Sequence, residues 1–222
     1  MKRTPWLLLA FLAFCVGSFA AGQRAEINNA YVHVIHGTDA PHVKSAPHRH
    51  EFNRVMIYLD AGEMTITPAQ GPVEQQHWKA GDVAWSPARG LHTSENVGTA
   101  PLRMIEIELK KPGPAVAPRR NPKLDPLVID PRHYALLFEN RQVRVMRSWR
   151  EPGGTEPLHE HTGAGRVTVF LTNLDTTTKA ANGKTSTQHQ RAGDATWSAG
   201  SVIHRSTNAG KNRLEVIVVE VK

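Results

Sequence analysis

The sequence predicts an all-β protein made of two tandem jelly-roll barrels, and three observations carry that reading. Val55, Ile57 and Leu59 alternate with Met56, Tyr58 and Asp60 at a period of two, and Met64–Thr67, Arg166–Leu171 and Leu214–Val221 are also strand-like. No window of the 222 residues offers an amphipathic helix, and 17 glycines and 15 prolines punctuate short segments, which suits strands closed by frequent turns. Finally, the chain repeats itself. A shift of 112 residues lays Ala80-Gly81-Asp82 on Ala192-Gly193-Asp194, Trp85-Ser86 on Trp197-Ser198, and His92, Ser94 and Asn96 on His204, Ser206 and Asn208. A shift of 111 lays Val32–Ile35 on Val143–Met146 and His48/His50 on His159/His161. Two copies of one domain explain this agreement.

Residues 1–20 read as a secretory signal. Lys2 and Arg3 precede an apolar run from Trp6 to Val16, and Ser18-Phe19-Ala20 offers the small residues a signal peptidase needs. The run is short for a permanent span, so no stable membrane anchor is expected after cleavage, and an uncleaved anchor is the competing reading. The chain's single cysteine, Cys15, leaves with this segment. A mature chain without cysteine suits an exported protein, periplasmic or secreted, and confines any metal to nitrogen and oxygen ligands.

The first barrel is expected over 21–109 and the second over 131–222. Residues 110–130 join them as a basic linker in which Pro112, Pro114, Pro118, Pro122 and Pro126 disfavour both helix and sheet. Lys110, Lys111, Arg119, Arg120 and Lys123, set against Asp125 and Asp130, give this linker +3 of the net charge of +7, and Lys2 and Arg3 give another +2. The barrels are therefore close to neutral, and a nucleic-acid partner is not expected. Within the second copy, Asn182-Gly183 marks a tight hairpin.

Twelve histidines are present, and six fall in two equal sets. Residues i and i+2 of a strand share a face, so His48 with His50, and His159 with His161, each aim two imidazoles into one space. A third, His92 or His204, follows some 43 residues later, where an antiparallel neighbour would place it. Three imidazoles suit a divalent cation and leave positions open for water or substrate. His33, His36, His42, His77, His133 and His189 have no counterpart in the other copy and are expected at the surface or behind the ligands. Trp85 and Trp197 are expected in core packing.

These residues resemble the cupin superfamily, and the duplication resembles a bicupin. The first cupin motif opens with a glycine six residues before an H-x-H pair: Gly153, His159 and His161 match it, while only His48 and His50 match in the first copy. Gly81, Pro87, His92 and Asn96 match the second motif, with Gly90 one place late. So do Gly193, His204 and Asn208, with Ala199 where proline is usual. The resemblance implies double-stranded β-helix barrels and a divalent metal, with iron or manganese for oxygen chemistry and zinc for lyase or hydrolytic chemistry.

At the place of the family's glutamate ligand stand Arg54, with three residues between it and His50, and Arg166, with four between it and His161. A guanidinium cannot ligate a cation. Either each arginine grips a small anionic, carboxylate-bearing substrate beside a three-histidine metal, or each is a structural ion-pair partner in a degenerate site. Three-histidine iron cupins that oxygenate small acids lack the glutamate, so the resemblance implies dioxygenase-like chemistry, with isomerase and lyase chemistry beside it. The competing class is a non-catalytic small-molecule-binding or structural bicupin. A homo-oligomer is compatible with either.

Overall fold

The computed structural model describes residues 27–222; the signal segment 1–20 and Cys15 lie outside the described residues. In the first repeat the strands are β1 (Ile27–Asn28), β2 (Val32–Asp39), β3 (His48–His50), β4 (Asn53–Tyr58), β5 (Gly62–Pro68), β6 (Glu74–Trp78), β7 (Val83–Ser86), β8 (Arg89–Asn96) and β9 (Leu102–Leu109). A single helical turn, α1 (Pro126–Ile129), follows. The second repeat holds β10 (Tyr134–Glu139), β11 (Val143–Arg150), β12 (His159–His161), β13 (Gly165–Phe170), β14 (Leu174–Ala180), β15 (Thr185–Gln190), β16 (Ala195–Ala199), β17 (Val202–Asn208) and β18 (Leu214–Val221).

Each repeat closes as two antiparallel sheets. The first pairs β1-β2-β9-β4-β7 with β3-β8-β5-β6, and the second pairs β10-β11-β18-β13-β16 with β12-β17-β14-β15. The predicted all-β, two-barrel class is the observed one.

The five-stranded sheets are buried on both faces, for different reasons. Val55, Ile57, Ile105 and Ile107 of the first and Val143, Val145, Val167, Val169, Ile217 and Val219 of the second form one continuous buried cluster, so these sheets pack back to back. Their opposite faces line separate barrel interiors, with Met56, Tyr58 and Met104 in one and Met146, Val216 and Val218 in the other. This is why β18 reads as a nearly unbroken apolar run. Trp85 and Trp197 pack against the shared cluster. Each also meets an aromatic ring from the other repeat, Phe138 and Tyr31 respectively. Both tryptophans therefore pack as expected.

Two local features, both in the linker, differ from the sequence expectation. The linker does contain helix: Pro126 sits in the first turn, where its missing N–H is harmless, and the Asp125 carboxylate caps Leu127 N at 3.0 Å. The linker also covers the free edge of β12, where Leu124 O accepts from Glu160 N at 2.8 Å. The β14–β15 connection is the tight hairpin expected at Asn182-Gly183. Gly183 N bonds Ala180 O and Ala180 N bonds Lys184 O, with Gly183 at φ +86°, which makes a three-residue loop closed by a left-handed glycine.

The extra residue between His161 and Arg166 is absorbed at Gly163 and Gly165. Gly163 has φ +112°, and a Cβ there would stand 2.2 Å from Val221 O. Beyond the irregularity the registers coincide: Arg166 faces Ser198 and Glu220 as Arg54 faces Ser86 and Glu108. Both arginines therefore point into their barrels. A second irregularity lies in β8, where His48 pairs with His92 but His50 pairs with Arg89, which accounts for the late Gly90.

Candidate metal centres and anion site

The structure assembles both predicted histidine sets. Nitrogens of His48, His50 and His92 lie within 4.8 Å of one another, as do those of His159, His161 and His204. The strand pairs His48↔His92 and His159↔His204 bring the third imidazole to the H-x-H pair. The sets differ in burial: His48 and His50 are partly exposed, whereas His159, His161 and His204 are all buried.

Backbone and carboxylate acceptors fix the rings in both barrels. His48 Nδ1 donates to Ala46 O at 2.9 Å, His92 Nδ1 to Gly90 O at 2.7 Å and His159 Nδ1 to Pro157 O at 3.0 Å. His161 Nδ1 meets Glu220 Oε1 at 2.8 Å. With Nδ1 engaged, the Nε2 lone pair is the one that faces the centre, the arrangement that orients metal-binding imidazoles. In the second barrel, His159 Nε2 and His161 Nε2 stand 3.0 Å apart, and His204 Nε2 is buried with no hydrogen-bond partner among the described residues. Two lone pairs turned together beside a third unpartnered one fit a cation.

Burial and neighbouring charges keep His50, His92, His161 and His204 neutral. Burial, reinforced by His159 and Arg166, pushes His204 down to about 2, and burial with Arg166 nearby holds His161 well below its usual value. In the first barrel, burial followed by Arg54 lowers His50 to about 3, and burial lowers His92. A neutral imidazole is the form that ligates. Burial also raises Glu220 to about 7.

The arginines are placed alike and partnered differently. Arg54 Nη1 binds Glu106 Oε2 and also lies 2.8 Å from His50 Nε2, while Nη2 donates to Ser86 Oγ at 2.9 Å. A guanidinium thus occupies the lone pair that a cation in the first barrel would use. At the place of Glu106 the second repeat has Val218, and Arg166 Nη1 is buried without a hydrogen-bond partner among the described residues.

Sequence reasoning missed the acids. Glu106 and Glu220 are legible only as alternate residues of β9 and β18, and Glu156 only as an acid where the first repeat has Ser45. Glu156 is buried, receives Tyr134 Oη at 2.9 Å and Arg150 Nη2 at 3.0 Å, and its Oε1 lies 3.8 Å from His159 Nε2. Asn96 and Asn208 behave as turn residues. Each is almost wholly buried, donates to two backbone carbonyls and accepts from a following glycine N. His133 and His189 pair with Asp130 and Asp175 and join neither histidine set.

The cavities differ in size. A cavity of about 760 Å³ opens into the first barrel, lined by Met56, Tyr58, Met64, Trp78 and the three histidines and reaching Leu137 and Arg147 of the second repeat. The second encloses about 120 Å³, bounded by His161, His204, Arg166, Thr168, Ser198 and Val218.

Fold and sites together define a class: a duplicated all-β protein whose two jelly-roll barrels each gather three histidines suited to a divalent cation. Residues 32–108 match the model of the cupin domain, Cupin_2, so the first barrel is a cupin domain, and the chain has the two-barrel form of a bicupin. Among solved structures it is similar to AerE from Microcystis aeruginosa, with a TM-score of 0.62 at 12% identity over 86% of this chain and 88% of that one. It is also similar to oxalate decarboxylase of Bacillus subtilis, studied for its Mn(II) centres, with a TM-score of 0.61 at 13% identity over 86% and 69%. No curated protein matches the sequence.

Proposed function

We propose that this chain is an exported bicupin that binds a divalent metal on its histidine sets and takes a small carboxylate-like anion beside the metal of the second barrel. The observation that carries this reading is that three converging, buried imidazoles, two of which line a cavity with Arg166, occur in one barrel with the buried and unpartnered Nη1 of that arginine. Buried polar groups without partners are rare, and a cation on the imidazoles with an anion on Arg166 would satisfy both. The size of the cavity favours a ligand of few non-hydrogen atoms, since pockets for drug-sized ligands run to about 300–1,000 Å³.

A metal held by neutral imidazoles keeps its charge and supplies Lewis-acid or oxygen-binding chemistry; iron, manganese and zinc are the candidates. The Mn(II) centres of the B. subtilis enzyme favour manganese, and its oxalate substrate has the small dicarboxylate chemistry that Arg166 would clamp. The protein's own part is to orient the anion through Arg166, exclude bulk water by burial, and hold the imidazoles by their Nδ1 atoms. Export rests on Lys2-Arg3, the apolar run and Ser18-Phe19-Ala20.

Metal analysis of the purified mature protein tests the reading, with His48→Ala and His161→Ala alongside. Near-stoichiometric metal that His161→Ala removes, and oxalate binding that Arg166→Met removes, are expected. Less than about 0.2 metal per chain after exposure to iron, manganese and zinc would sink it. A non-catalytic binding protein would show the same metal and anion binding with no turnover in air.

A further inference from the structure

The three-histidine site of the second barrel lacks a carboxylate at the expected sequence position, yet a buried carboxylate stands beside it. Glu156 comes from the segment leading into β12, three residues before His159. Its Oε2 is engaged by Tyr134 Oη and Arg150 Nη2, which fixes the side chain and leaves Oε1 directed toward the imidazoles, 3.8 Å from His159 Nε2. Tyr134 Oη itself stands 3.3 Å from the same nitrogen. Two donors each about 2.1 Å from one ion are separated by about 3–4 Å. The His159–His161 and Glu156–His159 separations of 3.0 and 3.8 Å fall in that interval.

We infer that Glu156 supplies the carboxylate ligand of the second-barrel metal, replacing from the segment before β12 the acid that the motif has exchanged for Arg166. The inference rests on the metal reading above and extends it to the identity of the fourth donor. Charge supports it. A dication beside Arg166 would face like charge with no acid on the arginine, and Glu156 is a buried carboxylate that approaches the Nε2 of His159, whereas Glu220 is engaged by the Nδ1 of His161. The first repeat has Ser45 at this place and Arg54 already paired with Glu106. The carboxylate and the free guanidinium therefore occur together in one barrel and are both missing from the other. Arg150 and Tyr134 act as positioning residues: Arg150 is bracketed by Asp130 at 2.7 Å and Glu156 at 3.0 Å, so the acid is held even without a cation.

The test is calorimetric titration of Mn(II) and Zn(II) into the mature protein carrying His50→Ala, which leaves the second set intact, with and without Glu156→Gln. Manganese depends more on oxygen donors than zinc does. Glu156→Gln is expected to weaken Mn(II) at least tenfold and Zn(II) distinctly less, with the circular dichroism unchanged. Mn(II) affinity within threefold of the parent, or an equal loss for both metals, would overturn the inference and leave Glu156 as a partner of Arg150. Should the variant not fold, pulsed EPR of Mn(II) in wild-type protein carrying ¹³C-labelled glutamate carboxylates reads the same question: a ¹³C coupling supports ligation and its absence overturns it. Adding His161→Ala separates the two readings. If that variant keeps full Mn(II) affinity the three-histidine site fails, whereas loss there with none in Glu156→Gln defeats only the role of Glu156.

Discussion

Inside the first barrel the guanidinium of Arg54 is bonded to the carboxylate of Glu106, and the equivalent of Glu106 in the second barrel is Val218. One substitution between the repeats thus separates a neutralised arginine from a free one. The two readings left open by the sequence, ion-pair partner and anion clamp, are divided between the barrels: the geometry of Arg54 favours the first and that of Arg166 the second.

Val218→Glu should neutralise Arg166 and weaken oxalate binding at least tenfold, while Val218→Gln, of equal size and no charge, should weaken it much less. A buried arginine with a carboxylate partner has little left for an exogenous anion. Direct titration with oxalate reads the difference between the two variants. Equal losses would mean that the extra volume, not the charge, is responsible.

Metal sites of two strengths are expected. In the first barrel a cation must first displace Arg54 Nη1 from His50 Nε2, and His48 and His50 are partly open to water. In the second, no guanidinium is bonded to an imidazole nitrogen among the described residues. Titration with Zn(II) should show one tight equivalent, removed by His161→Ala and kept in His50→Ala, followed by a weaker one. The reverse assignment would show that Arg54 leaves His50 readily.

Stability of the metal-free protein should fall with acid. His204 at about 2 and His50 at about 3 are depressed from their unfolded value near 6.5, so the unfolded chain binds protons that the folded chain refuses. Their contribution is present above about pH 6.5 and is lost as pH drops below it. For the buried His204 the slope is about 1.4 kcal/mol per pH unit. Glu220, raised to about 7, works in the opposite sense between about 7 and 4.5, because there the folded form holds the extra proton. Above pH 4.5 Glu220 offsets one of the two imidazoles, so a shallower decline remains there and steepens below it. Urea unfolding from pH 7 to 4 reads the slope, which His204→Gln should flatten; an unchanged slope in that variant would remove the argument.

Much of this was legible in the chain. Period-two alternation, the repeat and the motif histidines gave strands, barrels and both trios, because register in a sheet follows from alternation and one face of each strand is committed to an interior. What remained hidden depends on contacts between distant strands. Glu106 is 52 residues from Arg54. Whether an arginine is paired is decided by which β9 or β18 side chain reaches it. Nor does alternation distinguish a barrel interior from a barrel–barrel interface, since Val55 and Met56 are both buried on opposite faces of β4. The Asp125–Arg144 pair and the cover over β12 were likewise invisible in a linker read as proline-rich spacer.

That interface leads to the last expectation, that the two barrels unfold as one unit. Ile57, Ile105, Val167 and Ile217 are wholly buried in a cluster shared by both five-stranded sheets, so unfolding either repeat would expose the apolar back of the other. Arg147, from the second repeat, reinforces the contact by donating to Gly81 O in the first while bonded to Glu215 at 2.7 Å. Ile217→Ala should destabilise by about 2–5 kcal/mol, the usual range for truncating a buried isoleucine. In calorimetry it should lower a single transition instead of splitting off a low-temperature one. Two resolved peaks, with only one moved by the substitution, would mean that each barrel is stable without its neighbour and that the shared cluster contributes little to cooperativity.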